Sequence, residues 1–279
     1  AKPEEATHVA TASGDWSSAS TWQGGRIPDQ GSRVLIPEAH SVTLDRELAS
    51  ELEWLRLNGE LRFATDRDTE LRVDTLVSAP GSRLEIGTAE QPVQSNVQAR
   101  IVFADRGPLT VENDPLLMGR GAILHGTTRI HGAAKTSAVT AAIDPKRGDR
   151  EIVLTDQPSG WSVGDQLVIA GTRPDGGGDE TVVIQSIEGS RILLEAPLTE
   201  DHLTPRDHLK VHVANLSRNV EFKSENTAID RRGQMMFMHT RDVDVENVSF
   251  NDLGRTDKLR PLDIPYLDDE GFVSEAISN

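Results

Sequence analysis

Residues 57–86 read LNGELRFATDRDTELRVDTLVSAPGSRLEI, and this stretch decides the fold. Apolar and polar residues alternate in its short runs, which are separated by turn residues such as Asn58 and Pro80. Alternation with a period of two is typical of β-strands that bury one face. Similar runs lie on both sides, so the sequence predicts short strands at residues 34–36, 41–44, 57–63, 70–77, 83–86 and 100–103.

The spacing of these runs indicates how the strands are arranged. Leu57, Val73, Ile86 and Val102 lie in successive runs, 13 to 16 residues apart. That period is short for antiparallel sandwich hairpins and close to what a β-solenoid needs, in which each coil contacts only its neighbours. We therefore predict an all-β chain built as a right-handed parallel β-helix. The best candidate for a helix is residues 46–55, where Leu48, Leu52 and Leu55 recur at helical spacing.

A second type of β structure is predicted after a composition shift at residues 136–149. Four runs follow, and Ile187 and Ile192 flank a turn of hairpin length at residues 188–190, which favours antiparallel pairing. We predict three parts, which are an N-terminal cap with the first coils at 1–135, a small inserted antiparallel β-barrel at 150–205, and continuing coils at 206–279, beginning again at Leu209.

Composition excludes several classes of protein. The net charge of −16 repels phosphate backbones, so no nucleic-acid partner is expected. The chain has no cysteine, which rules out disulfides and thiolate metal sites. It has no run of 18 apolar residues, so we expect no membrane insertion. The excess of acidic residues has two explanations. It keeps the protein well solvated, or some of the carboxylates hold Ca²⁺.

A family resemblance extends over roughly residues 10 to 130. It rests on Gly14-Asp15-Trp16, Thr21-Trp22, Gly25, Ile27-Pro28, Gly31, Leu44-Asp45, Gly59, Leu61-Arg62-Phe63, Gly81 and Ile86-Gly87-Thr88. These residues, in this order, resemble the G8 domain, which is named for its recurrent glycines. Downstream, Trp161 to Asp165, His208 to Val220, Gly233 to His239 and Leu253 to Lys258 are similar to longer proteins that carry this domain.

The resemblance implies a parallel β-helix, an extracellular location and a glycan partner. The chain is similar to a bacterial relative of cell-surface hyaluronan-degrading proteins. Chains of that kind continue beyond the position of Asn279, which implies that this sequence is an N-terminal fragment. The resemblance does not decide between catalysis and binding.

The segment from Asp230 to Arg260 holds the candidate site residues. Clustered arginines suit bidentate contacts with a uronic-acid carboxylate, so we predict substrate binding by Arg231, Arg232 and Arg241. The alternative is that these arginines pair with acidic neighbours on the surface.

Catalytic groups are predicted in the same segment. A hydrolase needs two carboxyl groups, and a lyase needs a base and a cation; both sets can be drawn from His239, Asp252, Asp257, Arg255 and Lys258. The alternative is that His239 is a core residue whose hydrogen bonds are satisfied inside the protein. It is predicted on one strand face with Met235 and Phe237, in a strand covered on both sides.

A candidate metal site follows His239. Asp242, Asp244 and Glu246 alternate and so project from one face of a strand, where three carboxylates repel one another unless a cation such as Ca²⁺ is bound. The alternative is a solvated outer face. A zinc site at His208 and His212 is a further possibility, although no H-E-x-x-H motif is present.

Three functions remain open at this point. The first is an extracellular polysaccharide-degrading enzyme, or its N-terminal part, acting on an acidic glycan such as a glycosaminoglycan. The second is a non-catalytic glycan-binding or adhesion module, and the third is a structural scaffold. Aromatic content of 4% counts against a binder that uses aromatic platforms, and Trp16 and Trp22 are predicted to cap the first coil.

Overall fold

The fold is described from a computed structural model, which describes residues 1–110, 114, 117–173, 176–206, 208–256, 263–264 and 277–278. The described residues contain no α-helix, and their strands are β1 (His8–Val9), β2 (Gly14–Asp15), β3 (Arg33–Ile36), β4 (Ser41–Leu44), β5 (Glu47–Leu57), β6 (Glu60–Phe63), β7 (Thr69–Ser78), β8 (Arg83–Ile86), β9 (Ala99–Phe103), β10 (Gly121–Leu124), β11 (Thr127–His131), β12 (Ala138–Thr140), β13 (Glu151–Val153), β14 (Gln166–Ile169), β15 (Glu180–Glu188), β16 (Arg191–Leu194), β17 (His212–Asn215), β18 (Val220–Ser224), β19 (Gln234–Phe237), β20 (Val243–Glu246), β21 (Val248–Asn251), β22 (Asp263–Ile264) and β23 (Ile277–Ser278). Short 3-10 turns lie at Pro3–Glu5, Ala19–Thr21, Gln23–Gly25 and Ile229–Arg231.

Parallel pairs form three stacks. Stack A contains the first halves of β5 and β7, followed by β9, β18 and β21. Stack B contains β1, β3, the second halves of β5 and β7, then β10 and β19. Stack C contains β2, β4, β6, β8, β11 and β20. The chain passes through A, B and C in that order, and we call one such passage a round.

The true repeat is longer than the predicted 13 to 16 residues. Val34, Leu55 and Leu76 are register partners in stack B and are 21 residues apart. The spacing of 13 to 16 residues separates strands of different stacks, because Leu57 lies in B, Val73 in A and Ile86 in C. One round therefore takes about three runs of alternating sequence.

The three stacks share one apolar core. Alternate residues such as Val34, Ile36, Val42 and Leu44 are fully buried, and all belong to one cluster that continues to Phe222. Burying an aliphatic side chain contributes roughly 1.5–3 kcal/mol, so this shared core is the main driving force for the stacking.

Trp16 and Trp22 cap this core in the first round, as predicted. Both are buried, their ring centroids are 4.9 Å apart at an interplanar angle of 69°, and Trp22 Nε1 donates to the carbonyl of Trp16 at 2.8 Å. Edge-to-face packing of this kind is favourable for aromatic rings.

The helical spacing at residues 46–55 was misleading, since this segment is strand β5. Leu48 and Leu52 point inward in stack A, and Leu55 points inward in stack B. The strand bends between the stacks, and the bend changes which parity of residue faces the core. A spacing of four and then three residues thus arises from a bent strand.

An antiparallel sheet separates the fifth and sixth rounds. Its strand order is β12-β17-β14-β15-β16-β13, and it has its own apolar core around Ile169, Ile184 and Val213. The predicted hairpin is present, with Ile187 opposite Ile192. Parallel pairing begins again at Val220 and not at Leu209, because residues 212–215 pair antiparallel with β12 and β14.

Asn219 fixes the point where the chain returns to stack A. Its Oδ1 accepts the N–H of Ala133 at 2.8 Å, and its Nδ2 donates to the carbonyls of Val93, Gln94 and Val97 at 2.9–3.2 Å. One side chain thus satisfies four backbone groups and connects both ends of the antiparallel unit to the preceding round.

Candidate functional site

The three predicted catalytic residues that the structure describes lie at two different bends. Asp252 and Arg255 follow β21, at the bend between stacks A and B, whereas His239 follows β19, at the bend between B and C. The four residues of β19 separate the bends by about 13 Å at the usual strand rise. Asp257 and Lys258 lie outside the described residues.

Arg255 is held by backbone carbonyls. Its Nη1 donates to Arg120 O at 3.1 Å and to Arg232 O at 2.9 Å, and its Nη2 donates to Leu117 O at 2.7 Å. Burial and the neighbouring Arg120 cation both lower the pKa of the Arg255 guanidinium. These contacts direct Arg255 toward the protein backbone, where its guanidinium links three segments of the bend.

Asp105 is the anionic centre of this bend. Its Oδ1 accepts from Arg231 Nη2 at 2.6 Å and from Arg231 Nε at 3.0 Å, and it lies 3.1 Å from Arg120 Nη2. Burial raises the pKa of the Asp105 carboxyl, but the bonds from Arg231, Asn226 and the Gly107 N–H outweigh it and leave that pKa lowered. Arg231, predicted to contact substrate, is therefore paired within the protein.

We expect Asp105→Asn to make the free energy of unfolding depend less on pH in the acid range. A carboxyl whose folded pKa is lowered stabilises the fold above its unfolded pKa, and this is lost as the pH falls through the folded value. Asp105→Asn should thus cost about 1–3 kcal/mol at pH 7 and progressively less toward pH 3. Urea unfolding at several pH values measures this, with exposed Asp156→Asn as the control. A constant difference at every pH would contradict the assignment.

Asp252 and Arg232 form a weaker contact at the same bend. Arg232 Nη2 lies 3.5 Å from Asp252 Oδ1, and Arg232 Nε donates to Thr227 O at 2.8 Å. Asp252 has a φ of +52°, and its carbonyl accepts a bond from Ser224 Oγ at 2.6 Å. The Asp252 carboxylate remains half exposed, so it can still meet solvent.

His239 lies beyond the end of its strand, which corrects its predicted place beside Met235 and Phe237. Strand β19 ends at Phe237, and His239 adopts a left-handed φ of +55°. The segment is also not covered on both sides, because Phe237 is 41% exposed. The ring of His239 faces that of His125, with Nδ1 atoms 3.4 Å apart.

Two of the three predicted calcium ligands, Asp242 and Asp244, have other neighbours. Asp242 pairs with Arg129 and accepts a bond from Thr127, and Asp244 Oδ2 lies 3.0 Å from His131 Nε2. Bonds from Arg129 and Thr127 lower the pKa of the Asp242 carboxyl. Over the described residues, no three His, Asp or Glu side chains are grouped so that they could hold a metal ion.

A polar groove that no sequence motif indicates lies beside the antiparallel sheet. Its volume is about 540 Å³, and its lining includes Ser95, Gln98, Lys135, Asp165, Gln166, Leu216, Ser217, Arg218, Glu221, Ser249 and Asn251. These residues come from five separate stretches of chain. No single motif marks them, so only the return of the chain to stack A shows that they are neighbours.

The charges in this groove are balanced. Lys135 Nζ donates to both carboxylate oxygens of Asp165 at 2.8–2.9 Å, and Arg218 Nη1 donates to the carbonyls of Asn215 and Ser217. Glu221 accepts from Asn251 Nδ2 at 2.6 Å. The groove can therefore offer amide and hydroxyl groups without a surplus of either charge.

A search of the described residues for a helix long and apolar enough to cross a membrane found none.

The chain is similar in sequence to fibrocystins. The chain is 28% identical to human Fibrocystin-L over 193 residues, which is 67% of this chain and 4% of that protein. It is 26% identical to mouse Fibrocystin over 218 residues and to dog Fibrocystin over 226 residues, which is 74% and 76% of this chain and 5% of each relative. The chain thus spans about one-twentieth of the length of these relatives.

The family model of the G8 domain matches residues 21–142. That range begins at Thr21, within the tryptophan cap, and ends at Ala142, just after β12. The chain therefore contains a G8 domain.

Proposed function

We propose that this chain is a non-catalytic polysaccharide-binding module of an extracellular protein, and that its stacks are the coils of a right-handed parallel β-helix. Repeated passage through A, B and C supports the helix, and crossovers between parallel strands are almost always right-handed. On this interpretation the G8 coils come first, the antiparallel domain is inserted after β11, and the coils continue from β18.

The polar groove carries the proposal. Its volume, about 540 Å³, is in the range of sites that enclose small ligands, which is enough for a few sugar units. Gln98, Gln166 and Asn251 supply amide groups that can donate and accept hydrogen bonds to sugar hydroxyls. Leu216 is 49% exposed and Val163 is 67% exposed, so apolar surface is available for the C–H face of a sugar ring.

The balance of charge favours neutral sugars. Lys135 is paired with Asp165, and the charge of Arg218, whose Nη1 donates to backbone carbonyls, is offset by Glu221 in the same lining. A uronic-acid carboxylate needs a free cation to replace its hydration, because an unpaired charge is costly to desolvate. The groove lining given by the structure includes no aromatic side chain, so we expect weak binding per site, with a Kd of about 1 mM.

Degradation of an acidic glycan, the second candidate function, has less support. A hydrolase or lyase needs its acid, base and cation around one bond. The described members of the predicted set lie at two bends, and the guanidinium of Arg255 contacts three carbonyls. The experiment below tests both functions.

Binding is measured by titrating the whole chain with neutral and uronic-acid oligosaccharides. Saturable binding of a neutral oligosaccharide, without any shortening or ultraviolet-absorbing product, is the expected result. Gln98→Ala combined with Gln166→Ala should weaken it about tenfold, because each lost hydrogen bond contributes about 0.5–1.5 kcal/mol.

Gln23→Ala is the matched control, since Gln23 is an exposed glutamine in the first round, outside the groove. Unaltered affinity in the double variant would place the glycan elsewhere on the surface. Cleavage of any polysaccharide by the purified chain would replace this proposal with the enzymatic one.

A further inference from the structure

We propose that His125 and His239 form a binding site for Zn²⁺ at the bend between stacks B and C. His125 directly follows β10 and His239 lies two residues beyond β19, and these two strands are register partners. The site uses neighbouring rounds, so a bound ion would connect the fifth round to the sixth.

The two rings face each other through their Nδ1 atoms. The ring planes are parallel within 4°, and the centroids are 5.5 Å apart while the Nδ1 atoms are only 3.4 Å apart. The facing edges of both rings therefore carry the nitrogen atoms. In the neutral form with the proton on Nε2, each Nδ1 has a free lone pair directed toward the gap.

The separation of these nitrogens selects the geometry of the ion. Two ligands of a tetrahedral Zn²⁺ ion with Zn–N distances of about 2.0–2.1 Å lie about 3.4 Å apart. Neighbouring ligands of a square-planar ion with similar bond lengths lie only about 2.9 Å apart. The lone pairs point almost at each other, so a rotation of each ring about χ2, which is a broad torsion in histidine, is needed to direct them to one ion.

The backbone holds both histidines in place before any ion binds. The N–H groups of His125 and Gly126 donate to Oγ of the buried Ser78 at 3.0 and 3.2 Å. Met238 N–H donates to Leu124 O at 2.8 Å, and His239 then adopts its left-handed φ of +55°. Uncommon backbone conformations of this kind cluster at functional sites.

The site is open on its outer side. His239 is exposed and His125 is half-buried, so an ion can reach the gap from solvent. Two protein nitrogens leave two tetrahedral positions for water or for a donor on a bound molecule. We therefore expect reversible binding rather than a permanent structural ion.

Calorimetry with chelator-treated protein and ZnCl₂ tests the site. We expect one Zn²⁺ per chain, and at least a tenfold loss of affinity in both His125→Gln and His239→Asn. Asparagine is chosen at 239 because it also tolerates the left-handed conformation. Nitrogen-15 NMR of the imidazoles gives a second readout, in which Zn²⁺ should shift the Nδ1 resonances of these two histidines together.

His40→Gln is the matched control, because His40 occupies the corresponding bend between β3 and β4. It should bind Zn²⁺ as the parent chain does. Far-UV circular dichroism checks that each variant is folded. No binding by the parent chain at about 0.1 mM Zn²⁺, or equal binding by all three variants, would mean that the two histidines only share a hydrogen bond.

Discussion

Replacing Arg120 with alanine is expected to lower the free energy of unfolding by about 3–5 kcal/mol, because it removes a buried cation that two largely buried carboxylates share. Arg120 is 1% exposed, and its guanidinium lies 3.1 Å from Asp105 Oδ1 and 3.5 Å from Asp74 Oδ1. It also donates to the carbonyls of Gly107 and Arg231.

The state of Asp74 shows how unfavourable that loss would be. Burial raises the pKa of the Asp74 carboxyl even though Thr75 and Arg120 stabilise its ionised form. Without Arg120 the carboxylate has less compensation for its lost hydration, so it must take up a proton or admit water. Both responses disturb the bend between stacks A and B.

Urea unfolding of the parent chain and of Arg120→Ala measures the effect. Arg62→Ala is the matched control, because Arg62 pairs with Glu60 but its side chain is 50% exposed. An exposed ion pair contributes about 0–1 kcal/mol, so this control should change stability little. Equal losses in the two variants would show that the buried network is not what stabilises the bend.

Phe222→Ala is expected to cost about 3–5 kcal/mol, the usual range for removing a buried aromatic side chain. Phe222 is fully buried at the point where the chain rejoins stack A, and it pairs in register with Ile101 and Phe250. The cavity would therefore open between the G8 rounds and the rounds that follow the antiparallel sheet.

Phe250→Ala is the control for this prediction, because the two rings pack with centroids 5.5 Å apart but Phe250 is 45% exposed. Its loss should cost less than half as much, since less apolar surface returns to water. Thermal unfolding followed by circular dichroism ranks the two variants. A larger effect at position 250 would mean that another segment covers Phe250 in solution.

Most strands could be predicted from local alternation. Residues 34–36, 41–44 and 83–86 are strands as expected, because each buries alternate residues in a shared core. Residues 46–55 have helical spacing but form a strand, since a bend that moves the chain to a second stack changes which alternate residues face the core. The alternation of apolar and polar residues indicates which side of a strand is buried. It does not indicate which sheet that strand joins.

The candidate site was less predictable than the strands. Arg231, Arg255 and Asp242 were chosen as free groups for substrate or metal, but each has partners from distant parts of the sequence. Arg231 pairs with Asp105, and Arg255 donates to a carbonyl of residue 117. Sequence gives the type of a charged group, whereas its availability depends on contacts across more than a hundred residues.

The sequence by itself determined that this chain is all-β, acidic and without cysteine, and its ordered glycines and tryptophans pointed to a G8 domain. Those properties follow from composition and from neighbours a few residues apart. Only the tertiary structure decided that His125 faces His239 and that Gln98, Gln166 and Asn251 line one groove. The reason is physical: stacking of parallel strands sets residues from distant rounds side by side at strand spacing, and sequence separation carries no record of that distance.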